Sequence, residues 1–214
     1  MYKTILFDLD GTLLDTIGDL AAAGNYVCRL RGWPEHTVEE FRTMVGHGMA
    51  NLAAKFSPPE AQDPTSIART LQDFSAYYTV HSRDSTMPYP GMPALILRLR
   101  TAGAKLAVCS NKDDGFSQDL MEHFFPGQFH LVRGKRAGTP VKPDPAVVEG
   151  ILAELGADGR GAIFVGDSAT DIRTGHNAGL PACGVTWGFR PRETLAEAEF
   201  LADTAEELER ILMG

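Results

Sequence analysis

Residues 5–12 read ILFDLDGT, so three apolar residues run directly into two aspartates, a glycine and a threonine. An apolar run that ends at a glycine-containing polar turn predicts a buried β-strand followed by a loop. Asp8 and Asp10 stand two residues apart, so their carboxylates repel each other and need a cation or a shared proton. One can act as a nucleophile and the other as a general acid and base, with Gly11 permitting the tight turn behind them. The alternative is a polar loop in which the two acids have no chemical role.

Three later apolar runs repeat this design: 105–109, 162–165 and 182–185. A weaker run, 129–132, precedes a glycine-rich loop. The helical patterns between these runs cover about 94–100, 144–155 with Asp144 as N-cap, 170–178, and a last helix opened by a capping box at 204–207. Strands that alternate with helices predict βαβ units and a mostly parallel sheet. The predicted fold class is therefore α/β, with a Rossmann-like parallel-sheet core.

Residues 16–87 break this alternation, because they hold helical patterns and no convincing strand. The predicted helices here are 19–30, one opened by a capping box at 37–40, 49–56 and 66–80. A structureless connection of this length is improbable in a compact protein. We therefore predict a helical cap domain of residues 16–87, inserted into an α/β core of residues 1–15 and 88–214.

Composition argues against several classes of protein. The 214 residues carry a formal net charge of −8 without a long basic run, which disfavours nucleic-acid partners. No apolar run approaches the roughly 20 residues of a membrane span, and the first strand begins too early for a signal peptide. The three cysteines are far apart and form no CxxC pair, which disfavours a disulfide framework or a zinc site. We expect a soluble, cytoplasmic protein without a membrane partner, either a monomer or a weak homodimer.

Polar side chains follow the second run and precede a later helix. Ser110 and Asn111 come directly after 105–109, and a short hydroxyl at a strand end can bond a phosphoryl oxygen together with backbone N–H groups. A plain turn is the alternative. Lys142 stands just before a helix start, where it can place a point charge against a phosphate. Lys135 and Arg136 are the alternative candidates for the cation that binds the phosphate.

A second pair of carboxylates, Asp167 and Asp171, follows the run 162–165. Ligands of parallel α/β sheets bind at the carboxyl ends of the strands, so these acids are expected near Asp8. Magnesium takes oxygen ligands, usually one or two carboxylates together with water and substrate. Asp167 can share a metal with Asp8, while Asp171 can hold a ligand water or orient Lys142. For Asp167, a favourable charge at a helix N-terminus is the alternative.

These four clusters resemble, in order, the four motifs of the haloacid dehalogenase superfamily, and the resemblance covers nearly the whole chain. They are DLDGTLLDT at 8–16, Ser110, Lys142-Pro143, and GDSATD at 166–171. The helical insert resembles the small helical cap of this superfamily. Three further stretches make the chain most similar to phosphoglycolate phosphatases and related small-molecule phosphatases: 89–92, 110–112 and 185–189.

The resemblance implies a magnesium-dependent phosphatase that acts on a small phosphorylated metabolite. Asp8 then attacks the phosphorus, and Asp10 protonates the departing oxygen and later activates the hydrolytic water. Mg²⁺ would be held by the Asp8 carboxylate, the Asp10 backbone carbonyl and Asp167, with Asp171 in the same metal cluster. Phosphoryl transfer needs alignment and charge neutralisation above all, which agrees with this set of residues.

The same resemblance assigns the residues that bind the phosphoryl group, namely Ser110, Asn111, Lys142, Gly11 and Thr12. Substrate choice is expected to lie in the cap, where 46–48 interrupts two helical patterns. Our hypothesis is that His47 or a neighbouring backbone amide touches the leaving group. A helix-breaking turn with an exposed histidine is the alternative.

Several other activities stay open at this stage. Asp10 argues against a dehalogenase, since displacement of halide from carbon needs no acid two residues after the nucleophile. A phosphonate hydrolase would need a Schiff-base lysine in its cap, where Lys55 is the one lysine. A sugar phosphomutase shares the four motifs, and a non-catalytic phosphate-binding module would have lost one of them. Phosphoglycolate, sugar phosphates, nucleotide monophosphates and pyrophosphate all remain candidate substrates.

Overall fold

The computed structural model describes all 214 residues and divides them into two compact units. The core unit comprises Met1–Leu14 and Pro88–Gly214, and the helical unit comprises Asp15–Met87. The helical unit therefore begins one residue before the insert predicted from the sequence. The strands are β1 (Thr4–Phe7), β2 (Leu14–Asp15), β3 (Met87–Pro88), β4 (Lys105–Asp113), β5 (Leu131–Lys135), β6 (Ala162–Gly166), β7 (Ala182–Val185) and β8 (Phe200–Ala202).

Nine α-helices accompany these strands. They are α1 (Ile17–Arg31), α2 (Val38–Met44), α3 (Met49–Phe56), α4 (Pro64–His81), α5 (Met92–Thr101), α6 (Asp114–Phe124), α7 (Pro145–Glu154), α8 (Ala169–Asn177) and α9 (Ala205–Met213). The first four belong to the helical unit and the other five to the core unit. Two short 3₁₀ helices, Pro59–Ala61 and Arg192–Leu195, complete the regular structure.

The core unit is built on a six-stranded parallel sheet with the order β5-β4-β1-β6-β7-β8. The sheet confirms the predicted α/β class. Strand β1 is central and pairs with β4 on one side and β6 on the other, with Phe7 opposite both Val108 and Val165. The carboxyl ends of β4, β1 and β6 therefore meet at one edge of the sheet, where parallel α/β proteins bind their ligands.

Both faces of the sheet are buried against helices. Ile5 and Phe7 of β1 pack in the larger apolar cluster, which also takes in residues of α5, α6 and α9. Leu6 points to the opposite face and packs in a second cluster with residues of α7. This alternation follows from the two-residue period of a strand, and burial on both faces explains why the parallel strands are nearly continuous apolar runs.

The helical unit is organised around a series of buried aromatic rings. Phe41, Phe56, Phe74 and Tyr78 are fully buried or nearly so, and successive ring centroids lie 6.0, 6.0 and 5.8 Å apart. Gly24 in α1 makes room for the first ring, since a Cβ there would lie 2.3 Å from Cζ of Phe41. Helices α1 to α4 thus bury a core of their own, as expected for a separate unit.

Asp19 connects the two ends of the helical unit. One carboxylate oxygen accepts hydrogen bonds from the N–H and hydroxyl of Ser85 at 2.9 and 2.6 Å. The other accepts from the N–H and hydroxyl of Thr86 at 2.9 and 2.7 Å. These four bonds satisfy a carboxylate that is 2 % exposed. Next to these bonds, the two segments that join the units, β2 and β3, pair as a two-stranded sheet.

The capping and helix-breaking residues of the sequence predicted some helix ends correctly and others only in part. Helix α3 has the predicted bounds, and Asp144 caps α7 as expected. The capping box predicted at the start of α9 is only half formed: Thr204 accepts from the N–H of Glu207, but the Glu207 carboxylate accepts from the N–H of Asp203 instead. Helix α6 and strand β8 were not predicted.

The predicted boundary between strand and loop at the end of β4 was wrong. The strand continues past Cys109 to Asp113, with a register shift against β5 between these residues. Strand β5 in turn begins later than the predicted run 129–132 and includes Gly134, which we had expected in a loop. A Cβ on Gly134 would lie 2.5 Å from Cα of Asp114, so the absence of a side chain permits this close approach.

None of the helices is both long enough and apolar enough to cross a bilayer. All three cysteines are buried and free.

Candidate active site

Three neighbouring strands bring the predicted polar residues to one edge of the sheet. Asp8 follows β1 and donates its N–H to the carbonyl of Val165 in β6 at 2.9 Å. Ser110 lies in β4 and Asp167 directly follows β6. Ser110 and Asp167 are only 6 % and 3 % exposed. These groups are far apart in sequence, and the strand order β4-β1-β6 explains why they meet.

Lys142 lies at the centre of this cluster. Its Nζ is 2.8 Å from Oδ1 of Asp8 and 2.7 Å from Oδ1 of Asp171. The lysine side chain is 3 % exposed and that of Asp171 is fully buried. The ammonium group also lies 5.6 Å from the ring centroid of Phe164. Of the three basic residues considered from the sequence, Lys142 is therefore the one that contacts Asp8.

Two further side chains hold Lys142 and its partner in place. Oδ2 of Asp171 accepts hydrogen bonds from the N–H and hydroxyl of Ser168 at 3.0 and 2.6 Å, within a capping box that opens α8. The amide of Asn111 accepts from the backbone N–H of Lys142 at 2.9 Å and donates to its carbonyl at 3.2 Å. Asn111 thus supports the backbone of Lys142, a contact that we did not predict.

The buried carboxylates of the site repel one another, and burial disfavours their charged forms. Burial and the nearby Asp171 raise the pKa of Asp8 to about 7, although Lys142 opposes this shift. Burial, with Asp171 and Asp8, raises the pKa of Asp167 well above its usual range. For Lys142, burial alone would lower the pKa, but the charges of Asp171 and Asp8 outweigh it and raise the pKa. One ammonium group therefore does not neutralise three acids, and the site favours a further cation.

The donor atoms of the cluster suit a hard divalent cation. One carboxylate oxygen from each of Asp8, Asp167 and Asp171 lies within 4.8 Å of the other two. All three are oxygen donors, the kind that Mg²⁺ takes, and no thiol or imidazole is among them. The residues present therefore fit the predicted magnesium site.

Two glycines allow the backbone to approach Asp167 closely. A Cβ on Gly11 would lie 2.4 Å from Oδ2 of Asp167, and a Cβ on Gly188 would lie 2.2 Å from its Cβ. Oδ2 of Asp167 accepts a hydrogen bond from the N–H of Phe189 at 2.7 Å. The loop behind β7 therefore holds the carboxylate of Asp167, a role that our reading of the sequence did not assign to it.

Gly188→Ala is expected to push Asp167 out of position, because the new methyl group would overlap the Asp167 side chain. Overpacking of this kind costs about 1–3 kcal/mol of stability, and we expect weaker Mg²⁺ binding with it. Urea unfolding and calorimetric titration with Mg²⁺ measure the two effects. Gly150→Ala is the matched control, since that helical glycine has nothing within 4 Å of an added Cβ. Unchanged stability and affinity in Gly188→Ala would contradict this account of Asp167.

The second aspartate of the first motif has a different partner. Nζ of Lys112 lies 3.1 and 3.3 Å from the two carboxylate oxygens of Asp10. Gly11 takes the left-handed conformation that the turn requires, at φ 86°. Thr12 is fully buried with no hydrogen-bond partner for its hydroxyl, and its carbonyl accepts from Nε1 of Trp187 at 3.1 Å.

The predicted site residues thus fall into two groups. Those of the core unit gather at the ends of β1, β4 and β6 or beside them: Asp8, Asp10, Gly11, Thr12, Ser110, Asn111, Lys142, Asp167 and Asp171. His47 belongs to the helical unit, in the turn between α2 and α3, and its contact with a leaving group stays a prediction. Lys112 received no role from the sequence, although it stands in the Ser110–Lys112 stretch that carried part of the resemblance.

The sequence of this chain is similar to those of known hydrolases. The sequence profile of the haloacid dehalogenase-like hydrolases matches residues 5–185. The chain is 36% identical to a phosphoglycolate phosphatase of Caulobacter vibrioides, over 90% of this chain and 83% of that protein. It is 32% identical to a phosphoglycolate phosphatase of Vibrio cholerae, over 99% of this chain and 97% of that protein.

A crystal structure of a proposed phosphoglycolate phosphatase from Lactobacillus delbrueckii superposes with a TM-score of 0.91 at 35% identity, covering 99% of this chain and 98% of the other. The match thus extends over both units of the chain and confirms the resemblance drawn from the four motifs. The chain belongs to the haloacid dehalogenase-like hydrolases, and within them it is a phosphatase, a hydrolase of phosphoric monoesters.

Proposed function

We propose that this phosphatase hydrolyses small phosphate monoesters of the 2-phosphoglycolate type, with Mg²⁺ as cofactor and an aspartyl-phosphate intermediate on Asp8. The observation that carries the proposal is the 2.8 Å contact between Nζ of Lys142 and the Asp8 carboxylate. A carboxylate can attack a phosphate dianion only where positive charge is placed between the two. The names of the curated relatives support phosphoglycolate as the first substrate to test.

Asp8 is the proposed nucleophile. Its carboxylate lies at the end of the central strand, and a hydrogen bond from the N–H of Leu9 to Oδ1 at 2.6 Å fixes its orientation. The O–P bond to Asp8 forms as the ester P–O bond breaks. Water then attacks the phosphorus, and the Asp8 carboxylate is released with inorganic phosphate.

The proposed cofactor would be held by the carboxylates of Asp8 and Asp167 and by the backbone carbonyl of Asp10. When bound, Mg²⁺ supplies positive charge against the phosphoryl oxygens and the attacking carboxylate. Both oxygens of Asp171 already accept hydrogen bonds from Lys142 or Ser168. We therefore assign Asp171 to the orientation of Lys142, which is one of the two roles considered for it from the sequence.

Proton transfer is assigned to Asp10, two residues after the nucleophile. It gives a proton to the departing oxygen in the first step and takes one from water in the second. Ser110, Lys142 and backbone N–H groups near Asp10 are the proposed partners of the phosphoryl oxygens. The N–H groups of Gly11 and Thr12 donate instead to the carbonyls of Leu14 and Leu9, at 2.9 and 3.3 Å. A cytoplasmic location and a monomeric or weakly dimeric state stay predictions from the sequence.

The direct test is phosphate release from a panel of small phosphate compounds, measured with Mg²⁺ and with EDTA in its place. The panel contains 2-phosphoglycolate, 2-hydroxyethyl phosphate, a sugar phosphate, a nucleotide monophosphate and pyrophosphate. We expect release that depends on Mg²⁺ and is fastest with 2-phosphoglycolate. A preference for another compound would overturn the substrate assignment, and release that persists in EDTA would overturn the proposed cofactor.

A further inference from the structure

Lys112 has a buried charge at the site and no role in the steps proposed above. Its side chain is 2 % exposed and its ammonium group lies within 3.3 Å of both carboxylate oxygens of Asp10, whose side chain is 13 % exposed. Lysines are seldom fully buried unless they are paired. The pairing with Asp10 therefore accounts for a lysine that would otherwise be costly at this position.

The backbone of Lys112 makes contacts on both sides, and the burial of its side chain limits the positions that its ammonium group can take. Its N–H donates to Oγ of Ser110 at 3.3 Å, and its carbonyl accepts from the hydroxyl of Ser117 at 3.4 Å. The neighbouring strand passes so close that a Cβ on Gly134 would lie 2.7 Å from this carbonyl. Asp10 stands in the loop after β1, where a backbone bridge joins it to Leu14.

The two aspartates of the first motif are paired with different lysines. Lys142 contacts Asp8 at 2.8 Å, and Lys112 contacts Asp10 at 3.1 Å. Because Lys112 contacts both oxygens of Asp10, it restricts rotation of the carboxyl group about its last torsion. A general acid must lie within hydrogen-bond reach of the oxygen that it protonates, so this orientation matters for the reaction.

We infer that Lys112 is a positioning residue, which holds the Asp10 carboxyl group in the orientation that proton transfer requires. The inference rests on the proposed function, in which the proton of Asp10 goes to the leaving alkoxide as the ester P–O bond breaks. In the second step a proton of the attacking water returns to Asp10 as the Asp8–phosphorus bond breaks. An ester whose leaving group departs as a stable anion needs no proton in the first step.

The test therefore compares substrates that differ in their leaving group. For Lys112→Met, kcat/KM is expected to fall by about 10²-fold with 2-phosphoglycolate and 2-hydroxyethyl phosphate, and by less than about threefold with acetyl phosphate, whose acetate leaves unprotonated. Acetyl phosphate is as small as the other two, so access to the site is matched. Since kcat/KM reports only the steps up to the first irreversible one, slower hydrolysis of the intermediate does not obscure the comparison.

Two further variants complete the design. Lys105→Met is the matched control, because Lys105 lies at the other end of β4 and donates to the carbonyl of Leu155 at 2.6 Å. It is expected to leave all three values of kcat/KM unchanged. Lys112→Arg keeps a cation beside Asp10 and is expected to retain more activity towards the alkyl esters than Lys112→Met does. Retained hydrolysis of acetyl phosphate also shows that each variant is folded.

The other outcomes are distinguishable. An equal loss with all three substrates would overturn the inference, since Lys112 would then serve phosphoryl binding or the fold. A loss confined to 2-phosphoglycolate would overturn it as well, because the ammonium group would then bind the carboxylate of that substrate. Failure of the wild-type protein to hydrolyse any of the three would overturn the proposed function itself, and the inference with it.

Discussion

Asp8→Asn is expected to abolish phosphate release, with kcat/KM lowered by about 10⁴-fold or more, as in enzymes that lose a covalent nucleophile. The amide that replaces the carboxylate has nearly the same shape but cannot form the aspartyl phosphate. Phosphate release from 2-phosphoglycolate, followed with Mg²⁺ present, measures the effect. Acid-quenched wild-type protein should in addition carry one phosphoryl group by mass, which the variant should lack.

Asp158→Asn is the matched control, because Asp158 is an exposed residue that pairs with Arg160. It is expected to turn over substrate at the wild-type rate. If Asp8→Asn kept a tenth of the wild-type activity, Asp8 would not be the nucleophile.

The same variant should also change the pH dependence of stability in the absence of metal. The pKa of Asp8 is about 7 in the folded protein, against a usual value of 3.8. The folded state therefore holds this proton over a range in which the unfolded state has lost it. The stability due to Asp8 is fully present below its unfolded pKa and is lost as the pH rises through about 7.

Urea unfolding in EDTA, from about pH 5 to about pH 8, tests this linkage. Asp8→Asn has no such group, so its stability relative to wild type should rise across this range. Asp158→Asn should show no comparable trend, because hydrogen bonds from Arg160 lower the pKa of Asp158 and place its titration below the range. A flat difference between wild type and Asp8→Asn would show that the Asp8 carboxylate is already ionised at the lower end.

Lys142→Met is the second variant with a large expected effect, since it removes the charge between Asp8 and Asp171. We expect kcat/KM to fall by about 10³-fold, the upper range for loss of one electrostatic contact to a transition state. We also expect a loss of about 3–5 kcal/mol of stability near neutral pH, because two buried carboxylates then face each other without their partner. Phosphate release and urea unfolding measure the two effects separately.

The destabilisation of Lys142→Met should shrink as the pH falls, since burial raises the pKa of Asp8 to about 7 and its protonation relieves the repulsion. This trend separates an electrostatic effect from simple loss of packing, which would not depend on pH. Lys3→Met, at an exposed lysine before β1, is the control and should match wild type in both measurements. Wild-type activity in Lys142→Met would contradict the proposed contact with the phosphoryl group.

The sequence predicted the parts of this molecule that depend on neighbouring residues. Helix α3 could be delimited because Gly48 precedes it and Ser57 with two prolines follows it. The carboxylates of Asp8 and Asp167 could be assigned to one edge of a sheet because each follows a short apolar run. The alternation of runs and helices was sufficient to infer the parallel sheet.

Contacts between distant residues could not be predicted in this way. Lys112 and Asp10 are separated by 102 positions, and no pattern near either residue indicates the other. The support that Asn111 gives to the backbone of Lys142 is likewise a contact between strand β4 and a loop 31 positions later in the chain. Strand β8 has three residues and takes its conformation from pairing with β7, so its own sequence carries little signal.

The hydrogen bonds of Asp19 have a consequence for how such a chain can arise and be rearranged. Because Asp19 joins Ser85 and Thr86, and β2 pairs with β3, the helical unit leaves and re-enters the core at neighbouring points, with paired strands about 4.8 Å apart. A segment whose ends lie side by side can be gained, lost or exchanged without stretching the host fold. The helical unit thus has the connectivity of an exchangeable module, and related chains can diversify there while the strand-end chemistry is kept.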